Sequence, residues 1–121
     1  MENTIYEWII SAMECRIKEG TLDNVVTFVH WRLNATRDEK IAETYSVTAM
    51  PQPSGENFTP YDELTKEQVV DWLVTILSVV PEPIDGVEQQ SELTKIKVML
   101  NVNIELQLHP VNELLPPPFE N

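Results

Sequence analysis

The sequence predicts an α+β fold: a three-stranded antiparallel β-meander packed against two C-terminal helices, followed by an extended proline-rich tail. The first half of the chain alternates with a period of two and is rich in Val, Thr, Tyr and Trp, as strands are. The second half has the apolar spacing of helices. The length of 121 residues, with 42% hydrophobic and 23% charged residues, fits one folded domain. We assign residues 1–110 to that domain and residues 111–121 to the tail.

Three runs of the first half are predicted as strands. The first, Ile5 to Lys18, carries apolar groups on both faces. The second strand alternates, and the side chains on one of its faces are Val25, Thr27, Val29, Trp31, Leu33 and Ala35. Asn24, Val26, Phe28, His30 and Arg32 point the other way. The third strand alternates from Ile41 to Ala49. Turns are predicted at residues 19–21, where Gly20 can adopt a positive φ, and at residues 36–39.

The first helix has a clear start. Thr65 stands at an N-cap with Gln68 three residues later, which predicts a capping box, and Leu64 and Val69 fit a hydrophobic staple. The helix follows residues 50–57, where two prolines and a glycine predict an exposed connector. One apolar stripe then continues to Pro81, which ends it: Val69, Trp72, Leu73, Ile76, Leu77 and Val80.

The second helix is predicted over residues 93–108, with Asp85 and Glu88 as candidate caps. Its stripe contains Leu93, Ile96, Leu100, Ile104 and Gln107, and is widened by Val98, Met99, Val102 and Leu106. A helix so apolar must be covered on more than one side, either by the sheet and the first helix or by another chain. A strand over Ile96–Leu108 is the alternative, since apolar residues also occupy every second position at its end: Val102, Ile104, Leu106 and Leu108. The length of the run and the plausible cap favour the helix.

Composition excludes several classes of function. The net charge of −12 opposes binding to nucleic acid and to anionic membrane surfaces. The single Cys15 excludes an internal disulfide and a cysteine-based zinc site. No cofactor, metal or catalytic motif is recognised, and His30 and His109 lack nucleophilic partners in sequence. We therefore expect no enzyme, no cofactor, no direct contact with nucleic acid or membrane, and structural roles for both histidines.

The tail is the candidate binding segment. Its predicted partner-binding residues are Leu114, Leu115, Pro116, Pro117, Pro118 and Phe119. Proline holds such a segment in an extended polyproline II conformation, so it loses little entropy when its apolar groups dock on a partner. The alternative is a frayed C-terminus without a partner.

One segment resembles a known family. The run FTPYDELTKEQVVDW at residues 58–72 resembles the signature F-x-P-Y-[DE]-x-L-T-x-E-x-V-x-x-W of small proteins encoded by tailed bacteriophages, frequent among cyanophages. Residues 29–35, 45–47 and 104–110 are similar to that family's central strand, next strand and closing helix. Two features depart from it: residues 81–93 form a longer segment, and the tail ends in PPPF.

The resemblance implies a phage origin and a place in the virion. The expected function is a structural component that docks on capsid, neck or tail through its sheet edge, last helix and tail. The expected partners are other virion proteins in multiple symmetric copies, after assembly in the host cytoplasm. The alternative is an acidic phage inhibitor that binds a host enzyme, acting as a DNA mimic, because small acidic proteins can imitate the charge of DNA.

Overall fold

The computed structural model describes residues 3–51 and 58–120, so most of the predicted connector lies outside the described residues. The sheet has the order β1-β2-β3 with both neighbouring pairs antiparallel. This confirms the predicted α+β fold with a meander and two helices. The elements are β1 Ile5–Glu19, β2 Leu22–Arg37, β3 Lys40–Ala49, a single 3-10 turn Tyr61–Glu63, α1 Lys66–Leu77 and α2 Glu92–Leu108.

Both predicted hairpin turns are confirmed. Gly20 has φ 62°, in the left-handed region that glycine adopts without steric cost. Asp38 and Glu39 have φ 49° and 67° between the paired residues Arg37 and Lys40. Positive φ at both central residues is the geometry of the two-residue turn that matches the twist of antiparallel strands.

Two β-bulges explain the irregular pattern of β1 and correct two predicted faces: Val26 belongs to the core cluster, and Val25 does not. The register between β1 and β2 shifts once at Ser11 in β1 and once at Thr27 in β2. The bulge at Ser11 moves the core-facing residues of β1 from even to odd positions: Tyr6, Trp8, Ile10, Met13 and Cys15. The bulge at Thr27 turns Val26 into the core, contrary to the prediction that it points away.

The core lies between one face of the sheet and the two helices. Val29, Trp31, Leu33 and Ala35 of β2 are all buried, as the predicted face requires. The Trp31 indole nitrogen donates a 2.8 Å hydrogen bond to Thr48 Oγ1, so its one polar atom is satisfied. Trp8 packs against Trp31 with ring centroids 5.2 Å apart. Trp72 is partly buried against the same core.

Helix α1 begins at the predicted cap. Thr65 Oγ1 accepts a 3.2 Å hydrogen bond from the Gln68 backbone N–H. The prediction of a complete capping box is wrong, because the Gln68 side chain does not return to the cap residue. It donates to Thr59 Oγ1 at 2.9 Å instead. The helix also ends earlier than predicted, at Leu77. Val80 therefore lies beyond the helical stripe and is exposed.

Helix α2 is confirmed and the strand alternative is wrong. The predicted caps are also wrong: the N-cap is Ser91, whose Oγ accepts a 3.2 Å hydrogen bond from the Thr94 N–H. Asp85 instead forms a tight turn with Gly86, at φ 52° and 79°, closed by backbone hydrogen bonds between Ile84 and Val87. Helix α2 packs along β3 and also contacts β2 and α1, which is the first of the two predicted arrangements. The residues that widen its apolar stripe are not covered by these contacts: Val98, Met99, Val102 and Leu106.

A buried asparagine joins the start of the chain to α2. Asn101 is 5% exposed, and its amide nitrogen donates to the Tyr6 hydroxyl and to the Lys97 carbonyl, both at 2.8 Å. Its Oδ1 accepts a 2.7 Å hydrogen bond from Thr4 Oγ1. Every polar atom of this side chain is therefore satisfied, which offsets the free energy that burying it costs.

Candidate interaction surfaces

The described residues of the tail are not part of the domain core. Residues 111–120 form neither helix nor strand, and all are exposed. Leu114, Leu115 and Phe119 are 101%, 72% and 65% exposed, although each is strongly apolar. Of the six predicted binding residues, the three prolines are exposed as well. The tail therefore presents apolar side chains on a proline-stiffened backbone, the form in which extended peptides are bound by grooves on other proteins.

Helix α2 carries a second apolar surface opposite its core face. We call it the α2 seam, and it comprises Val98, Met99, Val102 and Leu106. Their exposed fractions are 39%, 55%, 52% and 51%. The sequence analysis counted these residues as a widening of the core stripe. A helix 17 residues long cannot bury both sides against one sheet, and the seam is the side that this domain leaves uncovered.

The segment between the helices is also apolar and exposed. Val79 and Val80 follow α1, and Ile84 and Val87 form the tight turn before α2. Each of the four is more than 60% exposed. Chain continuity places Ile84 and Val87 near the N-terminal end of α2, whereas the tail leaves from its C-terminal end.

The sheet face opposite the helices is a fourth surface. Register pairs place Ile41, Tyr45 and Val47 of β3 on the same face as His30 and Phe28 of β2. Tyr45 is 55% exposed and Val47 is 42% exposed. The alternate residues of β3, which face the helices, are small: Ala42, Thr44, Ser46 and Thr48. Small residues allow α2 to lie close to β3, so the larger apolar groups of this strand point away from the core.

A polar cluster lies at the centre of this outer sheet face. His30 Nδ1 is 3.0 Å from the Tyr45 hydroxyl. Arg32 lies 5.8 Å from the centre of the Tyr45 ring and forms a 3.3 Å ion pair with Glu43. Sequence reasoning missed this cluster, because it depends on the pairing register of β2 and β3. These contacts place an aromatic ring and a guanidinium side by side on the surface.

Among the described residues, strand β3 is an edge strand that pairs only with β2. The hairpin register directs the backbone groups of its even-numbered residues toward β2, and those of its odd-numbered residues outward. At the start of the strand, Gln107 of α2 donates a 2.9 Å hydrogen bond to the outward Ile41 carbonyl. Nearby, Arg37 pairs with Glu105 at 2.7 Å. From Glu43 to Ala49 the outward backbone groups form an edge to which another strand can bind.

Charges on the sheet are largely arranged in pairs. Arg16 lies 3.8 Å from Glu19, and Lys18 lies 2.8 Å from Asp23. The hydrogen bond to Asp23 and its negative charge raise the pKa of Lys18 above its ordinary value. Burial raises the pKa of the Cys15 thiol, so the thiol is protonated at neutral pH.

The titratable groups of the described residues were compared with the donor sets that hold metal ions. In residues 3–51 and 58–120, no group of three or more His, Cys, Asp or Glu side chains is placed to hold a metal ion. His30 bonds to Tyr45, and His109 lies exposed at the C-terminal end of α2, where its backbone N–H bonds to the Glu105 carbonyl. Across the same ranges, no helix has the length and apolar character needed to cross a membrane.

Comparison with known sequences gives one family. Its sequence profile, described as a domain of unknown function (DUF7936), matches residues 3–117. The chain belongs to the DUF7936 family. The match includes all three strands and both helices of this DUF7936 fold, and it ends within the tail, so Pro118 and Phe119 lie outside it. No curated protein and no solved structure matches the chain.

Proposed function

We propose that this DUF7936 protein is a non-enzymatic structural component of a tailed phage particle that binds neighbouring protein subunits. The observation that carries the proposal is the distribution of exposed apolar groups. Of the nineteen large hydrophobic side chains that are exposed in the described residues, twelve lie between residues 79 and 119. Contiguous exposed apolar patches mark interaction surfaces. The α2 seam and the tail each bring several of these side chains together.

The tail is the proposed anchor. Leu114, Leu115 and Phe119 are far more exposed than side chains of their type are in a folded domain. Docking would remove these groups from water, at about 1.5–3 kcal/mol for each side chain that becomes fully buried. The three consecutive prolines restrict the free tail, so less conformational entropy is lost on binding.

The open edge of β3 is the proposed second contact. Its outward backbone groups between Glu43 and Ala49 can pair with an extended segment of a neighbouring subunit. Tyr45 and Val47 beside the edge would supply side-chain contacts on the outer face. A particle built from many symmetric copies makes such individually modest contacts additive.

The phage origin is supported by the resemblance of residues 58–72 to a phage protein signature. The structure explains several signature positions as parts of the fold. Thr65 caps α1, Val69 is buried in the core, and Leu64 and Trp72 pack against it. These residues therefore favour a common fold, while the particle role is carried by the exposed surfaces.

An acidic inhibitor of a host enzyme remains the alternative proposal. It calls for a contiguous row of carboxylates. One group of acids on the 3-10 turn and α1 is interrupted by Lys66: Asp62, Glu63, Glu67 and Asp71. By contrast, Glu19, Asp23, Glu43 and Glu105 lie beside basic side chains. This arrangement favours the particle role.

Deletion of residues 114–121 tests the proposal. Because the tail is exposed, the truncated protein should keep its circular dichroism spectrum and unfolding midpoint, but it should be lost from purified particles. Ile17→Ser, a change at a 77% exposed residue of β1, is a control that should be incorporated normally. Normal incorporation of the truncated protein would contradict docking through the tail.

A further inference from the structure

Asp85 and Gly86 form an exposed tight turn that stands apart from the domain core. The Ile84 N–H donates to the Val87 carbonyl at 3.0 Å, and the Val87 N–H donates to the Ile84 carbonyl at 2.9 Å. In residues 3–51 and 58–120, these two bonds are the backbone hydrogen bonds that close the turn. Ile84 and Val87 are each 62% exposed, and neither packs against the core cluster.

The turn contains the one aspartate of the chain that precedes a glycine. The other four aspartates precede Asn, Glu or Trp. The backbone nitrogen that follows an aspartate can attack its side-chain carboxyl carbon and close a five-membered ring, a reaction favoured because both groups belong to the same chain. A Cβ on the following residue crowds this nitrogen, and glycine has none. In the described part of the chain, no backbone hydrogen bond occupies the Gly86 N–H.

We propose that Asp85 is a site of spontaneous aspartate isomerisation in the folded protein. The Gly86 nitrogen bonds to Cγ of the protonated Asp85 carboxyl, and the hydroxyl of that carboxyl leaves as water with the proton of the nitrogen. The product is a succinimide, to which water then adds. Cleavage of the bond between the nitrogen and Cγ restores aspartate, whereas cleavage of the bond between the nitrogen and the main-chain carbonyl carbon leaves isoaspartate. No group is oxidised or reduced, and water is the co-reactant.

The folded chain reacts because the turn opens locally. In the closed turn, the two backbone bonds restrict the rotation that brings the Gly86 nitrogen to Cγ of Asp85. Breaking them exposes no side chain of the core cluster, so the turn opens while the domain stays folded. Two exposed hydrogen bonds slow the reaction by at most about thirtyfold relative to an unfolded chain. A turn that opened only on global unfolding would react at least about a thousandfold more slowly.

Isomerisation alters the apolar segment between the helices. Isoaspartate continues the chain through its side chain, which adds one backbone atom to a turn that has two central residues. The paired hydrogen bonds between Ile84 and Val87 are then lost, and both side chains, exposed already, take new positions. The free carboxylate is kept, so the net charge of the chain does not change. This inference does not rest on the particle role proposed above.

The reaction is measured on the full chain, incubated at physiological temperature in buffer and, in parallel, in enough urea to unfold it. Trypsin cleaves after Lys66 and Lys95, so one peptide contains both Asp71 and Asp85. Reversed-phase separation resolves the isomers, which have equal mass, and electron-transfer fragmentation locates the isoaspartate. We expect isoaspartate at Asp85 in both samples, with an initial rate in buffer within about thirtyfold of the rate in urea. Asp71, which precedes Trp72, is the internal control and should stay unchanged.

Gly86→Ala tests the chemistry independently of the opening of the turn. Nothing lies within 4 Å of the Cβ that it adds, so the domain should fold, although the φ of 79° strains alanine and loosens the turn. The added Cβ crowds the attacking nitrogen, so most of the isoaspartate should be lost both in buffer and in urea. A rate in buffer below the stated range would contradict local opening and overturn the proposal. Equal rates in wild type and Gly86→Ala would overturn it as well.

Discussion

The hydrogen bonds of Asn101 predict a measurable loss of stability on Asn101→Ala. The substitution leaves the Thr4 and Tyr6 hydroxyls without their present partners. Each lost hydrogen bond contributes about 1 kcal/mol net, which gives about 2 kcal/mol for the pair. Alanine has a higher helix propensity than asparagine by about 0.5 kcal/mol, which offsets part of the loss. The expected decrease in the free energy of unfolding is therefore about 1.5 kcal/mol.

Urea unfolding followed by tryptophan fluorescence measures this change. For a chain of 121 residues, a loss of this size lowers the thermal midpoint by about 5–8 °C. Asn103→Ala is the matched control: it has the same gain in propensity on the same helix, and Asn103 makes one exposed bond, to Gln107. Its effect should stay within about 0.5 kcal/mol.

A double-mutant cycle with Tyr6→Phe isolates the hydrogen bond itself. Asn101→Ala and Tyr6→Phe both remove the same 2.8 Å contact, so the double variant should lose about 1 kcal/mol less than the sum of the single variants. If Asn101→Ala were no more destabilising than Asn103→Ala, the buried junction between the start of the chain and α2 would be refuted.

Two further changes test the helix cap and the lone thiol. Thr65→Ala should destabilise the domain by about 1 kcal/mol, because the hydrogen bond from the Gln68 N–H is lost. Thr75→Ala, on the exposed side of α1, is the control and should not destabilise it. An unchanged unfolding midpoint for Thr65→Ala would mean that α1 starts elsewhere. Because burial raises the pKa of Cys15, alkylation by iodoacetamide should reach its half-maximal rate at higher pH in the native chain than in urea. Equal pH profiles in the two states would contradict this environment.

The parts of the fold that sequence predicted are those set by local chemistry. Gly20 and the polar residues near Asp38 specify turns through their own backbone preferences. Thr65 specifies the start of α1 because its hydroxyl bonds to an N–H three residues away. From Val29 to Ala35 the buried face of β2 follows from simple alternation.

The missed features depend on pairing between distant segments. The bulges at Ser11 and Thr27 compensate each other across two strands, so neither strand alone reveals them. The role of Asn101 requires Tyr6, which lies 95 residues earlier in the chain. Asp85 and Ser91 are both residue types that cap helices. In the structure Asp85 lies in a tight turn with Gly86, and Ser91 is the N-cap of α2.

The candidate surfaces were predicted in part. The tail was identified because its composition is unsuited to self-packing, and its six residues are exposed in the structure. The division of α2 into a core face and a seam was not predicted, because apolar residues surround most of the helix and its amphipathicity is weak. Which side is free depends on how α2 crosses β3, and that is a property of the assembled domain.

Quantitative mass spectrometry of purified virions of the encoding phage tests the central claim most directly. The account predicts this protein at a fixed stoichiometry to the other particle proteins, with a copy number that distinguishes a capsid lattice from a neck or tail ring. Detection in infected cells together with absence from purified particles would contradict the structural role and favour the inhibitor.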